Sequence, residues 1–205
     1  MAGLLAAFIL SGNVAGAQAV SDKKVARDAK KQAKTYVKEG WKTAPGHPSI
    51  ELQQLRASKI QNTFDDNFQP KFVFGSAQAI GPNYDAAKYQ ATELAKINIA
   101  GNIASELAGI AQTNIGNAQT DPGQAAAIVK TIGAYKNFVA AKLTNIISVI
   151  DMYKQEPGGM TTVSIGLFYD KQEAVKAGMQ AVREEMMKES KELGQELDNL
   201  LGIKE

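Results

Sequence analysis

Few side chains in this sequence are equipped for chemistry. Its 205 residues contain no cysteine and one histidine, His47. Without cysteine there is no disulfide, no thiol nucleophile, no thiolate zinc ligand and no lipid-anchored cysteine of a bacterial lipoprotein. One histidine excludes a two-histidine metal site and makes a histidine-based triad improbable. His47 lies in Trp41-Lys42-Thr43-Ala44-Pro45-Gly46-His47-Pro48, a turn-rich stretch in which it is expected to have no partner. Glu93 and Glu106 are the acids to test as a hydrolytic pair. If both ride one helix, their spacing puts them roughly 20 Å apart, beyond the ~5–10 Å that paired glycosidase carboxylates need. Asp65-Asp66 lacks a third ligand and the glycine of a calcium loop. Gly158, Gly159 and Gly166 do not follow a phosphate-loop spacing, and no Gly-Lys-Ser/Thr occurs. The residues thus imply no enzyme, no cofactor and no metal.

Two polar sets remain. Asn98, Asn102 and Ser105 fall within an apolar helical arc. They either hydrogen-bond to neighbouring backbone or line a small ligand pocket. The second set is basic: Lys23, Lys24, Arg27, Lys30, Lys31 and Lys34, with Lys38 and Lys42 following. Residues 18–42 carry eight bases and three acids, a net of +5, so the rest of the chain carries −3 of the overall +2. This stretch is either a solvated helix or a contact for an anionic surface such as lipid headgroups or polymer. Aromatics are not interleaved with the lysines, so specific nucleic-acid binding is not indicated.

The elements that must position these residues follow from spacing. Phe72, Val73 and Phe74 begin a strand that ends at Gly81-Pro82-Asn83, and Asn83 can cap a helix from Tyr84. Ala87, Ala91, Leu94 and Ala95 are expected on its packing face. Before it, Ser21 to about Glu39 reads as the basic helix with Gly40 as its stop. Ser49 caps a second helix, packing through Leu52, Leu55, Ile60 and Phe64, and Trp41 is expected to dock on the main domain. Residues 124–143 read as a cover helix carrying Ile128, Val129, Ile132, Tyr135, Phe138 and Val139. A hairpin follows. In its first strand Ile147, Val149 and Tyr153 oppose Ile146, Ile150 and Met152. In its second, Val163, Ile165 and Leu167 oppose Thr162, Ser164 and Gly166. Asp170 caps a last helix over 171–201, with Val175, Met179, Val182, Met186, Leu193, Leu197, Leu200 and Leu201 recurring at three and four. Its distal part has three competing roles: packing on its own sheet, pairing with a second chain in a homo-oligomer, or folding on the basic helix. The fold class is α+β: a three-stranded antiparallel sheet with helices packed on it, on one side, plus N-terminal and C-terminal helical extensions.

Residues 3–10, Gly-Leu-Leu-Ala-Ala-Phe-Ile-Leu, then a polar break and Ala15-Gly16-Ala17, have the order of an export signal cleaved before Gln18. The apolar run is too short for a transmembrane segment. The mature chain is then expected in the periplasm or on the cell surface.

FGSAQAIGPNYDAAKYQATELAKINIAGNIASEL, followed by IISVIDMYKQEPGGMTTVSIGLFYD, resembles the LPP20-like exported proteins of Gram-negative bacteria, through Ala87, Ala91, Ala95 and the hairpin end Tyr153-Lys154. The stretch AKTYVKEGWKTAPGHPSIELQQLRAS resembles the lead-in of secreted Bacteroidetes members. The resemblance implies an envelope-associated α+β domain without an enzymatic role, here lacking the lipobox cysteine. The expected divisions are 1–17 signal, 18–70 lead-in, 71–175 LPP20-like domain and 176–205 charged helix. The expected function is a non-catalytic envelope or surface interaction protein with an envelope component or protein as partner. The alternative is a periplasmic module binding a small ligand or an anionic polymer.

Overall fold

The computed structural model describes residues 22–115, 122–134 and 136–201. Its centre is a strand, a turn and a long helix: β1, Phe72–Gly81, and α3, Tyr84–Ile115. The turn is capped as its sequence requires, with Asn83 Oδ1 accepting from the Ala86 N–H at 2.9 Å. The buried stripe of α3 steps by four, through Ala87, Ala91, Ala95, Ile99, Ile103 and Leu107, each fully buried. A four-residue step at ~100° per residue advances the stripe by about 40° each time, so it coils around the helix. Leu94, expected on the packing face, has been left behind by that drift and is 46% exposed. The alanines let α3 lie close to the sheet. At Gly75 a Cβ would collide with the Ala95 carbonyl and the Ile99 side chain.

Ile147–Gln155 and Thr161–Asp170 form the hairpin β2–β3, with Gly158 and Gly159 at positive φ in the turn. The sheet order is β1-β3-β2, antiparallel throughout, so the fold is α+β. Val163, Ile165, Leu167 and Tyr169 of β3 face α3, while Phe168 and Gly166 face away. The expected alternation of the first hairpin strand fails at one point. A bulge between Ser148 and Ile150 shifts the register, so Ile147 stands opposite Phe168 and Ile150 opposite Gly166, on one face.

Helices cover both faces of the sheet, not one. On the far side of α3, over the residues where a cover helix was expected, lie α4, Pro122–Ala134, and α5, Lys136–Lys142. Ile128, Ile132 and Val139 are buried there; Tyr135 and the Phe138 side chain lie outside the described residues. Asp170 Oδ1 caps α6, Lys171–Glu189, accepting from the N–H groups of Gln172 and Glu173. The expected single terminal helix breaks at Ser190, which is extended, and α7, Lys191–Leu201, turns back onto α3, α4 and α6. Arg183 Nε holds Asp198 at 2.7 and 2.9 Å across the break. Met186 and Leu197, two residues of the stripe for which packing within the chain and pairing with a second chain were competing roles, are fully buried inside the molecule. The side chains of Leu193, Leu200 and Leu201 lie outside the described residues.

The opposite face of the sheet carries α1, Asp22–Lys38, and α2, Ile50–Gln61. Gly40, at φ +88°, ends the α1 turn. Trp41 docks as expected, packed with Ala33, Ile50, Ala57, Ile150, Met152 and Phe168 in a second core. Ser49 Oγ caps α2 through the Leu52 N–H at 3.3 Å. The packing face of α2 differs from the expected one. Leu52 and Phe64 are exposed, and the buried residues are Ile50, Gln53, Gln54 and Ala57.

Candidate functional site

Two edges of a three-stranded sheet must be sealed against stray pairing. On β1 the seal is made by α3: Asn98 Nδ2 donates to the Ser76 carbonyl at 2.7 Å and Asn102 Nδ2 to the Phe74 carbonyl at 3.1 Å. Ser105 Oγ donates to the Gly101 carbonyl at 3.0 Å, within its own helix. All three side chains are engaged with backbone, the first of their two expected roles. None of them is among the lining residues of the three clefts described for this fold, and Asn98 and Asn102 serve as the seal of the β1 edge.

On β2 the seal comes from the lead-in segment. Lys42 and Tyr153 exchange both backbone hydrogen bonds at 2.8 Å. Two residues along, the Gln53 amide takes over from backbone. Its Oε1 accepts from the Asp151 N–H at 2.8 Å, and its Nε2 donates to the Asp151 carbonyl at 3.1 Å and the Pro48 carbonyl at 2.9 Å. Beyond Asp151 comes the bulge, and the seal stops.

A cleft of about 540 Å³ opens there, between α2, α3 and β2. Ile146, Val149, Ile165 and Leu167 give it an apolar lining, and Thr92 and Ser148 add hydroxyls. Its polar centre is Asp151, 6% exposed. Tyr84 Oη donates to this carboxylate, 2.8 and 2.9 Å from its two oxygens, and Lys88 Nζ donates to Oδ2 at 2.6 Å. Lys88 Nζ also donates to Tyr84 Oη at 3.2 Å. Burial alone would lower the Lys88 ammonium, but its hydrogen bonds to Asp151 and Tyr84 outweigh burial and hold it above its ordinary value. Burial, then the bond to Asp151, pushes the Tyr84 phenol up. Both groups therefore keep their protons at neutral pH.

His47 was expected to lack a partner. Its Nδ1 is 3.3 Å from Asp151 Oδ2, because the Lys42–Tyr153 pairing and the Pro48–Gln53 bond fold its loop onto the end of the carboxylate network. The side chains around the cleft carry a basic surplus. Arg56, Lys88 and Lys96 stand against the single acid Asp151. Lys96 is held by Glu93 at 2.8 Å and Lys88 by Asp151. Arg56 is exposed and has no ion pair or hydrogen bond with the described residues. The cleft offers fixed cations, two hydroxyls and an apolar wall, which is the chemistry of a seat for a small anion.

The other expected sites are placed as follows. Glu93 pairs with Lys96, and Glu106 separately with Lys171 at 2.9 Å, so they share no site. Asp65 Oδ1 accepts from the N–H groups of Asn67 and Gln69 and shapes a loop. Lys23, Lys24, Arg27, Lys30, Lys31 and Lys34 are all exposed on α1. No group of three His, Asp or Glu side chains among the described residues is placed to hold a metal ion. No described helix is long and apolar enough to cross a membrane. The expected signal, residues 1–17, lies outside the described residues. Comparison with protein-family models, with curated proteins and with solved structures finds no match, so the LPP20-like resemblance stands on the residues quoted for it.

Proposed function

We propose that this chain is a non-catalytic binding module that takes a small anionic ligand, a carboxylate or a phosphate ester, in the cleft over Asp151. The observation that carries the reading is Arg56, a guanidinium with no ion pair among the described residues, which lines a part-apolar cleft together with two fixed ammonium groups. A guanidinium binds carboxylate and phosphate through paired N–H donors. Asp151 acts as an anchor: Tyr84 and Lys88 occupy both its oxygens, which fixes Lys88 towards the ligand. The setting proposed for this module is the periplasm or cell surface, on the strength of the leader-like residues 3–17. Terminal sequencing of the exported chain checks that setting, with Gln18 expected first.

Titration calorimetry with citrate and with inorganic phosphate tests the ligand class. At least one is expected to bind, with Arg56→Gln weakening it about tenfold to a hundredfold, the worth of a charge-assisted hydrogen bond. Absence of binding by both anions, or affinity indifferent to Arg56, would sink the proposal.

A further inference from the structure

The outer side of α1 has a charge pattern that its packing does not require. Val25, Ala29 and Ala33 are its buried stripe. Placing residues at ~100° steps puts Lys23, Lys24, Arg27, Lys30, Lys31, Lys34 and Lys38 in one arc of about 120° opposite that stripe. No other α1 residue falls in the arc, and the acids Asp22 and Asp28 lie outside it. An ordinary solvated face intersperses both signs. Here an arc along about 25 Å of helix holds bases alone, with Asp28 just outside it 3.8 Å from Arg27, on a chain whose remainder is net negative.

At the C-terminal end of this arc a groove of about 560 Å³ separates α1 from the start of α2. Trp41 and Ile50 line it, Lys34, Lys38 and Lys42 flank it, and Val37 stands beside it 61% exposed. Glu51 is the single acid on its wall.

From this geometry we infer that the outer face of α1 is a docking surface for an anionic lipid bilayer. The helix lies flat on the headgroups, because its apolar stripe is already spent inside the protein. Val37 and the groove give one apolar foothold for an acyl chain, with lysines placed at headgroup level. That foothold selects a lipid surface over a soluble polyanion, which supplies charge alone. The inference is independent of the cleft over Asp151.

Co-sedimentation of the full chain with vesicles tests it. Binding is expected to phosphatidylglycerol mixed into phosphatidylcholine, not to phosphatidylcholine alone, and to weaken as salt shortens the Debye length. Replacing Lys30, Lys31 and Lys34 with Gln is expected to lower partitioning on the order of a hundredfold, since each base near an anionic surface contributes about fivefold. The three side chains are exposed, and an unchanged circular dichroism spectrum confirms that the fold is kept. Val37→Ser, which removes the apolar contact without adding charge, is expected to weaken vesicle binding further while leaving capture by dextran sulfate unaffected. Equal binding to phosphatidylcholine, no binding to the anionic vesicles at low salt, or indifference of vesicle binding to Val37 would overturn the inference.

Discussion

Gln53 and Gln54 are neighbours on α2, 1% and 2% exposed, and the same substitution in each should have opposite effects. Gln53 makes three hydrogen bonds to main chain, two of them to Asp151 on the edge of β2. Gln54 Nε2 is buried with no partner among the described residues. Leucine matches glutamine in helix propensity, so intrinsic preference cancels. In Gln53→Leu the Asp151 N–H and carbonyl lose their partner. Each orphaned buried group costs about 1–3 kcal/mol, and the added apolar burial returns about 1–2 kcal/mol. At mid-range values the two groups cost about 4 kcal/mol and burial returns about 1.5 kcal/mol, a net loss of roughly 2–3 kcal/mol. In Gln54→Leu an orphaned donor disappears and apolar burial is gained, so stability should hold or rise by about 1 kcal/mol. Urea unfolding checks both at constant slope, with the Gln53→Leu midpoint falling and the Gln54→Leu midpoint holding or rising. Gln53→Glu is the pH control. It keeps the acceptor for the Asp151 N–H but faces two carbonyls as an acid, so its folded pKa must lie above its unfolded one. Its stability is then greatest below about pH 4 and falls as pH rises through the folded value. If Gln53→Leu lands within about 0.5 kcal/mol of the parent, the amide is not sealing the edge and the account of the site fails.

Two further outcomes rest on the same packing. Gly75→Ala adds a Cβ where the Ala95 carbonyl and Ile99 leave no room, so it should cost about 1–3 kcal/mol; thermal melting reads this, and an unchanged midpoint would mean that α3 can lift off the sheet. The folded pKa values of Lys88 and Tyr84 both lie above their ordinary 10.5 and 10.0. Raised folded values mean that the contribution is complete below the unfolded pKa and is lost as pH climbs through the folded one. Stability should therefore fall above about pH 10, and Asp151→Asn, which removes the main acceptor, should flatten that alkaline limb of the stability curve.

The sequence was legible where one residue decides one local conformation. Asn83, Ser49 and Asp170 cap the helices they precede, and Val163, Ile165 and Leu167 share the core face of β3. Reading failed where tertiary pairing overrode pattern. Leu52 is the more apolar choice for the α2 face, yet the sheet selects Gln53 because a strand edge needs hydrogen bonds more than area. The bulge beside Val149 leaves no mark in the alternation of Ile146–Met152. His47 and Asp151 carry no joint signal, because their meeting depends on a loop paired to β2. A polar residue beside a turn signal, flanked by apolar periodicity, was the one available hint at Gln53.

The two sheet edges show why the site lies where it does. Asn98 and Asn102 cover β1 with side chains from a helix that is already rigid. β2 is covered by a separate segment, and that cover ends at a single amide. From Asp151 inward the strand bulges, its backbone turns from the regular ladder, and space opens beneath α3. The residue at the end of the seal is also the one that orients Lys88, Tyr84 and His47. Asp151 thus joins the integrity of the edge to the geometry of the cleft through one backbone and one side chain. A change that loosens Gln53 must therefore reach the cations around the cleft, whereas one that loosens Asn98 has no such route.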